Sequence, residues 1–411
     1  MRAALVNLVR TRFSSLPIGL MSLAAFARRR HAVEIIESDA GDPHAQLCAA
    51  GPYDVIGISA MTVEYERATR LARQIKVSHP AARIVIGGVH ISTLPESFRP
   101  CFDLALPGEG ERKFLDLLDG RYDGRRAYPR LDLSDYPPLD YDAINPLYFR
   151  RRYLSAWNES GVPGVILTSR GCPFRCVFCS TSVFWKGRAV KFFPADWVLS
   201  EIKAQAARGV THLSVWDDLF TLNKPRLREL AARFEAEGLR LTLSVQSRVN
   251  TLDDEMCEIL CRLGVRSVNF GFESGNERVL RWLKCNTTTT VSDNERAVRL
   301  CRRHGLLAVG SLIIPPGVSR RENLDTVRFA WRAFRNGADS LWYFPLTPLP
   351  GTPLWQKARA AGEVGPDMNF DTLALSNPRA VPLWVRWLMF AVRGLLRFRR
   401  LVRRRPRRPA V

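Results

Sequence analysis

The sequence predicts an α/β protein built from two successive series of parallel strands and covering helices. Three observations carry that reading. Short apolar runs alternate with 3.6-periodic stretches over residues 1 to about 120, and the alternation resumes from Gly161 onward. Glycines and polar residues cluster just after the apolar runs, where open parallel sheets bind ligands. A cysteine loop, Cys172-Pro-Phe-Arg-Cys176-Val-Phe178-Cys179, follows the first apolar run of the second series, Gly164–Thr168.

In the first series the expected strands are Ala3–Val9, Ala32–Glu37, Asp54–Ala60, Arg83–Gly87 and Asp103–Leu106. Helical patterns fill the gaps, most clearly Leu16–Arg30 and Val63–Ser78. Continuous apolar strands separated by helices imply a sheet covered on both faces. The expected strand ends carry Ser59-Ala-Met-Thr62, Gly87-Gly88-Val-His90 and Pro107-Gly108-Glu109-Gly110-Glu111. Glycines there let the backbone approach a large flat ligand closely. No GxGxxG follows the first strand, which disfavours a dinucleotide.

Arg121–Pro146, rich in Asp, Pro and Tyr, reads as a crossing between domains. The second series then sets out strands at Gly164–Thr168, His212–Asp217, Arg240–Gln246, Ser267–Glu273, Leu307–Ile314 and Ser340–Pro345. Pro194 suits a first helical turn and Gly209 a C-terminal cap. Leu227–Ala236, Asp253–Leu263, Val291–His304 and Asn323–Phe334 keep the helical period. Six such βα units fit a partial barrel with its chemistry at the carboxyl ends of the strands.

Three thiolates on one short loop can hold three irons of a [4Fe–4S] cube and leave the fourth iron open to a chelating ligand. Zinc loops more often use CxxC pairs and want a fourth ligand, and after Cys179 no Cys or His follows until His212. Nine irregularly scattered cysteines and no signal peptide point to a reducing, cytoplasmic compartment rather than to disulfides. The other six (Cys48, Cys101, Cys257, Cys261, Cys285, Cys301) lie mostly in helical patterns and read as small buried hydrophobes.

The CxxxCxxC spacing, with Phe178 just before its last cysteine, resembles the signature of the radical S-adenosylmethionine (SAM) enzymes. The order of pieces ahead of it resembles the cobalamin (B12)-binding domain that precedes many radical-SAM barrels. Gly271-Phe-Glu-Ser-Gly275, Gly310-Ser-Leu-Ile-Ile314 and Pro348-Leu-Pro-Gly-Thr-Pro353 extend the match, which covers about residues 1 to 362. The resemblance implies a Rossmann-like domain over 1–125, a linker over 126–160, a partial (βα)6 radical-SAM barrel over 161–362 and a basic tail over 363–411.

It also implies site residues. Cys172, Cys176 and Cys179 would ligate the cluster. Phe178 would lie near the SAM adenine, and Asp217 or Asp218, Arg248 and Glu273 would bind the rest of SAM, since carboxylates suit an ammonium and ribose hydroxyls and an arginine suits a carboxylate. Ser59, Thr62, Gly87, Gly88, His90, Gly108, Glu109 and Gly110 would line the cobalamin. Two departures matter. The DxHxxG motif, whose histidine ligates cobalt in other cobalamin proteins, is missing; Asp42-Pro-His44 has half of it, and His44 reads as a surface loop residue. Pro315-Pro316-Gly317 stands where family members usually carry glycine after the Ile-Ile pair, so no role is carried onto that loop.

At 411 residues and 46% hydrophobic content the chain supports two full cores. Its formal charge of +21 is uneven: ten arginines and no acid lie between Arg386 and Val411. That distribution argues against a specific nucleic-acid groove, and a tRNA-modifying role is the weaker reading. Leu383–Arg405 reads as an amphipathic helix, with Trp384, Leu388, Ala391, Leu395, Phe398 and Val402 on one face and Arg386, Arg393, Arg397, Arg400 and Arg404 on another. Too short in its uncharged part to span a bilayer, it suits the anionic inner surface of a membrane, the alternative being a helix packed on the barrel.

The resemblance thus implies a cobalamin-dependent C-methyltransferase acting on an unactivated carbon, with electrons from a flavodoxin- or ferredoxin-type donor, and the membrane-surface tail points to a hydrophobic or membrane-associated metabolite as substrate. Two alternatives stay open. One is a cyclase or rearrangement enzyme using the same cofactors without methyl transfer, like the anaerobic porphyrin-ester cyclases. The other is a non-catalytic membrane-associated binding protein.

Overall fold

A computed structural model describes residues 1–8, 16–150, 153–154, 160–185, 187, 189–285, 288–373 and 381–402. The chain forms two compact units. The first takes in residues 1–173, 178–218 and 348–373, and the second residues 174–177, 219–347 and 374–411.

In the first unit the chain runs β1 (Arg2–Asn7), α1 (Ile18–Ala27), β2 (Ala32–Glu37), α2 (Pro43–Ala50), β3 (Val55–Ser59), α3 (Tyr65–Ser78), β4 (Arg83–Gly87), α4 (Val89–Thr93), β5 (Leu104–Leu106) and α5 (Glu111–Leu118). The strands form one parallel sheet in the order β2-β1-β3-β4-β5. Alternate residues of each strand face opposite sides. Leu5, Val55 and Val85 pack against Leu20, Ala24, Phe114 and Leu117 of α1 and α5. Ala4, Val6, Ile56, Ile58, Ile84 and Ile86 pack on the other side with Leu47, Ala68, Leu71 and Ile75 of α2 and α3. Both faces being covered is why these strands read as continuous apolar runs rather than alternating ones. The strand order reverses between β1 and β3, which opens a crevice beyond their carboxyl ends. Asp42 caps α2, its carboxylate accepting from Ala45 N at 2.9 Å, so His44 belongs to a first helical turn rather than a loop.

The same unit continues through α6 (Leu147–Arg150), β6 (Tyr153–Leu154), β7 (Ser160–Ile166), β8 (Ser169–Arg170), α7 (Thr181–Phe184), β9 (Lys191–Phe192), α8 (Ala195–Ala206) and β10 (Val210–Val215). β7 pairs parallel with β10 and antiparallel with β6, while β8 and β9 form a short antiparallel pair.

The second unit holds α9 (Lys224–Ala236), β11 (Thr242–Ser247), α10 (Asp254–Arg262), β12 (Val265–Glu273), α11 (Glu277–Leu283), α12 (Val291–Arg303), β13 (Leu307–Ile314), α13 (Arg320–Asn336) and β14 (Ser340–Pro345). β11 to β14 pair parallel in sequence order. α13 begins three residues before the apolar period does, because Ser319 and Glu322 form a reciprocal capping box there. The glycines of the two motifs have packing reasons. A Cβ on Gly310 would overlap the Phe272 ring, and one on Gly275 would lie 2.6 Å from the Asp325 carbonyl. α14 (Pro353–Ala360) returns to the first unit, where Trp355 and Phe370 fill its core.

α15 (Leu383–Val402) lies against α13 and β14 in the second unit. Its docked face differs from the expected apolar one: Val385, Met389 and Val392 are buried, while Leu388 and Ala391 are exposed. The side chains of Arg393, Leu395, Arg397, Phe398, Arg400 and Val402, and the whole of Arg404, lie outside the described residues. Among the described residues no helix is long and apolar enough to cross a membrane. The expectation for the scattered cysteines needs correction too. Cys257 and Cys301 are buried, but Cys48 and Cys261 are exposed where α2 and α10 turn them outward, and Cys285 (exposed) and Cys101 (half-buried) lie in turns.

Candidate active site

In the first unit, the register that sets Ser59 beside Gly87 and Gly87 beside Leu106 brings three strand ends level. Ser59, Gly87, Gly88, Gly108, Glu109 and Gly110 line one cavity there. The cavity deepens into an apolar slot walled by Leu5, Leu20, Leu23 and Phe114, between the sheet and helices α1 and α5. Its rim is largely backbone. Gly88 has φ +93, and a Cβ on it would lie 2.7 Å from the Ala60 carbonyl; at Gly19 a Cβ would meet nothing within 4 Å. Bare glycine walls above an apolar slot fit a flat macrocycle carrying an aromatic arm, which is the shape of cobalamin.

Thr62 and His90 do not line this cavity. The fully buried His90 shares hydrogen bonds with the Thr62 hydroxyl (3.2 Å) and the Ser97 hydroxyl (3.0 Å), and its ring lies 3.9 Å from that of Tyr65. Burial, with the nearby Arg99 charge, lowers its imidazole to about 3, so it is a neutral core residue. The turn into α4 aims it toward the α3 side of the sheet.

Sequence reasoning missed the residues that close the cavity: Arg170, Phe184 and Trp185, which flank the cysteine loop. Arg170 is buried and donates to Glu109 Oε1 and Glu111 Oε1, each at 2.9 Å, and to the Tyr136 hydroxyl. Burial alone would raise the Glu111 carboxyl; the Arg170 charge and the Tyr136 hydroxyl hold it below the usual range.

The two acids after β10, Asp217 and Asp218, hold the same loop. Asp217 is buried and accepts from Thr168 N (2.5 Å), the Thr168 hydroxyl (2.6 Å), Ser169 N (3.0 Å) and the Ser169 hydroxyl (2.7 Å). Asp218 accepts from Gly171 N (3.1 Å), the Thr181 hydroxyl (2.9 Å) and Trp185 Nε1 (2.9 Å). Gly171 precedes Cys172 and Thr181 follows Cys179 by two, so one carboxylate pins both ends of the loop. Cys172, Cys176, Phe178 and Cys179 are all half-buried. Three soft sulfur donors on one anchored, partly accessible loop suit an iron–sulfur cluster with an open iron.

In the second unit, Arg248 and Glu273 come together at the ends of β11 and β12. The Arg248 guanidinium stacks 3.8 Å over the Phe174 ring, and donates to Cys176 Sγ at 3.8 Å and to the Thr289 hydroxyl at 3.3 Å. Its Nε is buried without a hydrogen-bond partner among the described residues. Glu273 is buried with φ +60, a left-handed conformation that a non-glycine residue seldom adopts. Its carboxylate folds over Gly271, where any Cβ would overlap it. Lys284, another residue the sequence reading missed, lies beside it and donates to the Gly271 carbonyl at 2.6 Å. Burial raises the Glu273 carboxyl against the pull of Lys284 and Arg248. Burial and the Arg248 charge lower the Lys284 ammonium against the pull of Glu273. One buried acceptor between two buried donors matches the zwitterion of an amino acid.

Comparisons with known proteins place the chain in a family. The family model "Radical SAM superfamily" matches residues 166–330, and "B12 binding domain" matches residues 5–118. An uncharacterised methyltransferase of Pyrococcus horikoshii is 33% identical over 370 residues, 84% of this chain and 78% of that one. The bacteriochlorophyllide d C-8(2)-methyltransferase of Chlorobaculum tepidum is 27% identical over 355 residues, 83% of this chain and 75% of that one. The solved structure of the radical SAM methyltransferase TsrM from Kitasatospora setae, with cobalamin and a [4Fe–4S] cluster bound, aligns with a TM-score of 0.71. At 22% identity it covers 88% of this chain and 78% of its own. The shared fold is a Rossmann-like N-terminal sheet followed by a curled half-barrel sheet.

Proposed function

The chain belongs to the radical SAM enzymes that carry a B12-binding domain, and on that premise we propose that it is a C-methyltransferase acting on an unactivated carbon of a hydrophobic metabolite. Its cofactors are a [4Fe–4S] cluster, SAM and cobalamin. When bound, the cluster supplies the electron that cleaves SAM to a 5′-deoxyadenosyl radical, and methylcobalamin supplies the methyl group. The protein's own part is to hold and orient. Glu273 would hold the SAM ammonium, and Arg248 and Lys284 the SAM carboxylate. Asp217 and Asp218 fix the cysteine loop. The glycine rim and apolar slot of the first unit, with Arg170 and Trp185 in its lining, would hold cobalamin.

The observation that carries methyl transfer is the 33% identity with a methyltransferase over 84% of the chain. A hydrophobic substrate is favoured by Trp342 and Phe344, large aromatic residues exposed on one face of β14. A flavodoxin- or ferredoxin-type protein would reduce the cluster.

The test is anaerobic incubation of reconstituted enzyme with cell extract, a reductant, methylcobalamin and SAM carrying a deuterated methyl group. A product in which a CD3 group replaces one hydrogen, formed together with 5′-deoxyadenosine, is expected. A product that loses hydrogen or gains oxygen would replace methyl transfer with cyclisation or rearrangement. Absence of 5′-deoxyadenosine would leave only a binding protein.

A further inference from the structure

We propose that the outward face of α15 is a docking surface for an anionic lipid bilayer. This helix is apolar on two opposite sides. Val385, Met389 and Val392, at steps of four and three, are buried in the second unit. Leu383, Trp387 and Phe390 repeat the same steps two residues earlier, roughly half a turn around the helix. They are 61%, 66% and 66% exposed, and Leu388 beside them is 41% exposed.

A helix that only caps a domain carries polar residues on its outer side. Here three successive turns present tryptophan, phenylalanine and leucine instead, a patch that asks for a partner. The charge around it identifies which. No acidic residue follows Asp371, and ten arginines lie between Arg386 and Val411. Aliphatic and aromatic side chains flanked by arginines match the boundary between acyl chains and anionic headgroups. A second copy of the chain seated on the same patch would bring two such arginine-rich segments together, at an electrostatic cost. Single-stranded nucleic acid would use the aromatic rings but not Leu383 and Leu388.

The test is flotation of the full-length protein with vesicles of phosphatidylcholine, with and without phosphatidylglycerol. Flotation with the phosphatidylglycerol vesicles, weakening as salt is raised, is expected. Trp387→Ser with Phe390→Ser, which leaves Val385, Met389 and Val392 in place, should weaken it by about tenfold or more while thermal unfolding and cluster content stay as in the wild type. Failure of the wild type to float with phosphatidylglycerol, or undiminished flotation of the double variant, would overturn the proposal. So would a wild-type dimer that the double variant converts to monomer, or tighter binding to RNA than to vesicles.

Discussion

Replacing Arg170 with methionine removes a cation bonded to both Glu109 and Glu111 while keeping most of the side chain's bulk. Glu111 is 4% exposed; its Oε1 accepts from Arg170 and Tyr136, and its Oε2 has no partner among the described residues. Glu109 keeps its bond from Leu131 N at 3.0 Å, but Glu111 loses its cation and keeps the Tyr136 hydroxyl and a backbone N–H. Stranding a buried charge in this way costs about 3–5 kcal/mol. The sign with pH follows from the shift. In the wild type the lowered Glu111 pKa adds stability above the ordinary carboxylate range, and that stability is lost as pH falls through the folded value. In R170M the dominant influence on Glu111 becomes burial, which raises its pKa, so acid should relieve part of the defect. Urea unfolding followed through Trp185 and Trp197, which lie near Arg170 and Tyr136, reads the difference. R170M with E111Q should recover much of the loss, since a neutral amide is cheaper to bury. A loss below about 1 kcal/mol, or one independent of pH, would refute the reasoning, because that is the scale of an exposed pair.

His90 gives a second pH signature. Its lowered imidazole contributes stability that is complete above about 6.5 and lost as pH falls toward about 3. H90Q should flatten that part of the urea midpoint against pH; an unchanged profile would show that the imidazole is not the source. Gly271→Ala places a methyl group where the Glu273 carboxylate lies, and should weaken SAM binding by about tenfold or more in calorimetry, equivalent to about 1.4 kcal/mol. Unaltered affinity would separate Glu273 from SAM. Asp218→Ala removes the acceptor shared by Gly171, Thr181 and Trp185, and should lower the iron retained after desalting without abolishing folding.

What could be read before the structure follows from how local each signal is. Ala32–Glu37, Arg83–Gly87, Leu307–Ile314 and Ser340–Pro345 are strands with the expected bounds, because short runs rich in aliphatic and aromatic residues between turn signals are a local signal. The glycines at 87, 88, 108 and 110 declared their cavity through backbone freedom alone. Direction was illegible. An acid after a strand looks the same whether it faces a ligand or, like Asp217, the hydroxyls of Thr168 and Ser169. Nothing around His90 announced a turn that buries it between Thr62 and Ser97. Arg170 and Lys284 became visible only with their partners. In α15 the period gave a helix, but which of two apolar sides docks was decided by α13 and β14.

The most direct measurement is the metal and corrinoid content of full-length protein rebuilt without oxygen from iron, sulfide and hydroxocobalamin. The wild type should hold about four irons and one corrinoid per chain, while C172A/C176A/C179A keeps the corrinoid and loses the iron. Wild-type protein that takes up neither, or a triple variant that still holds the full iron complement, would contradict the account.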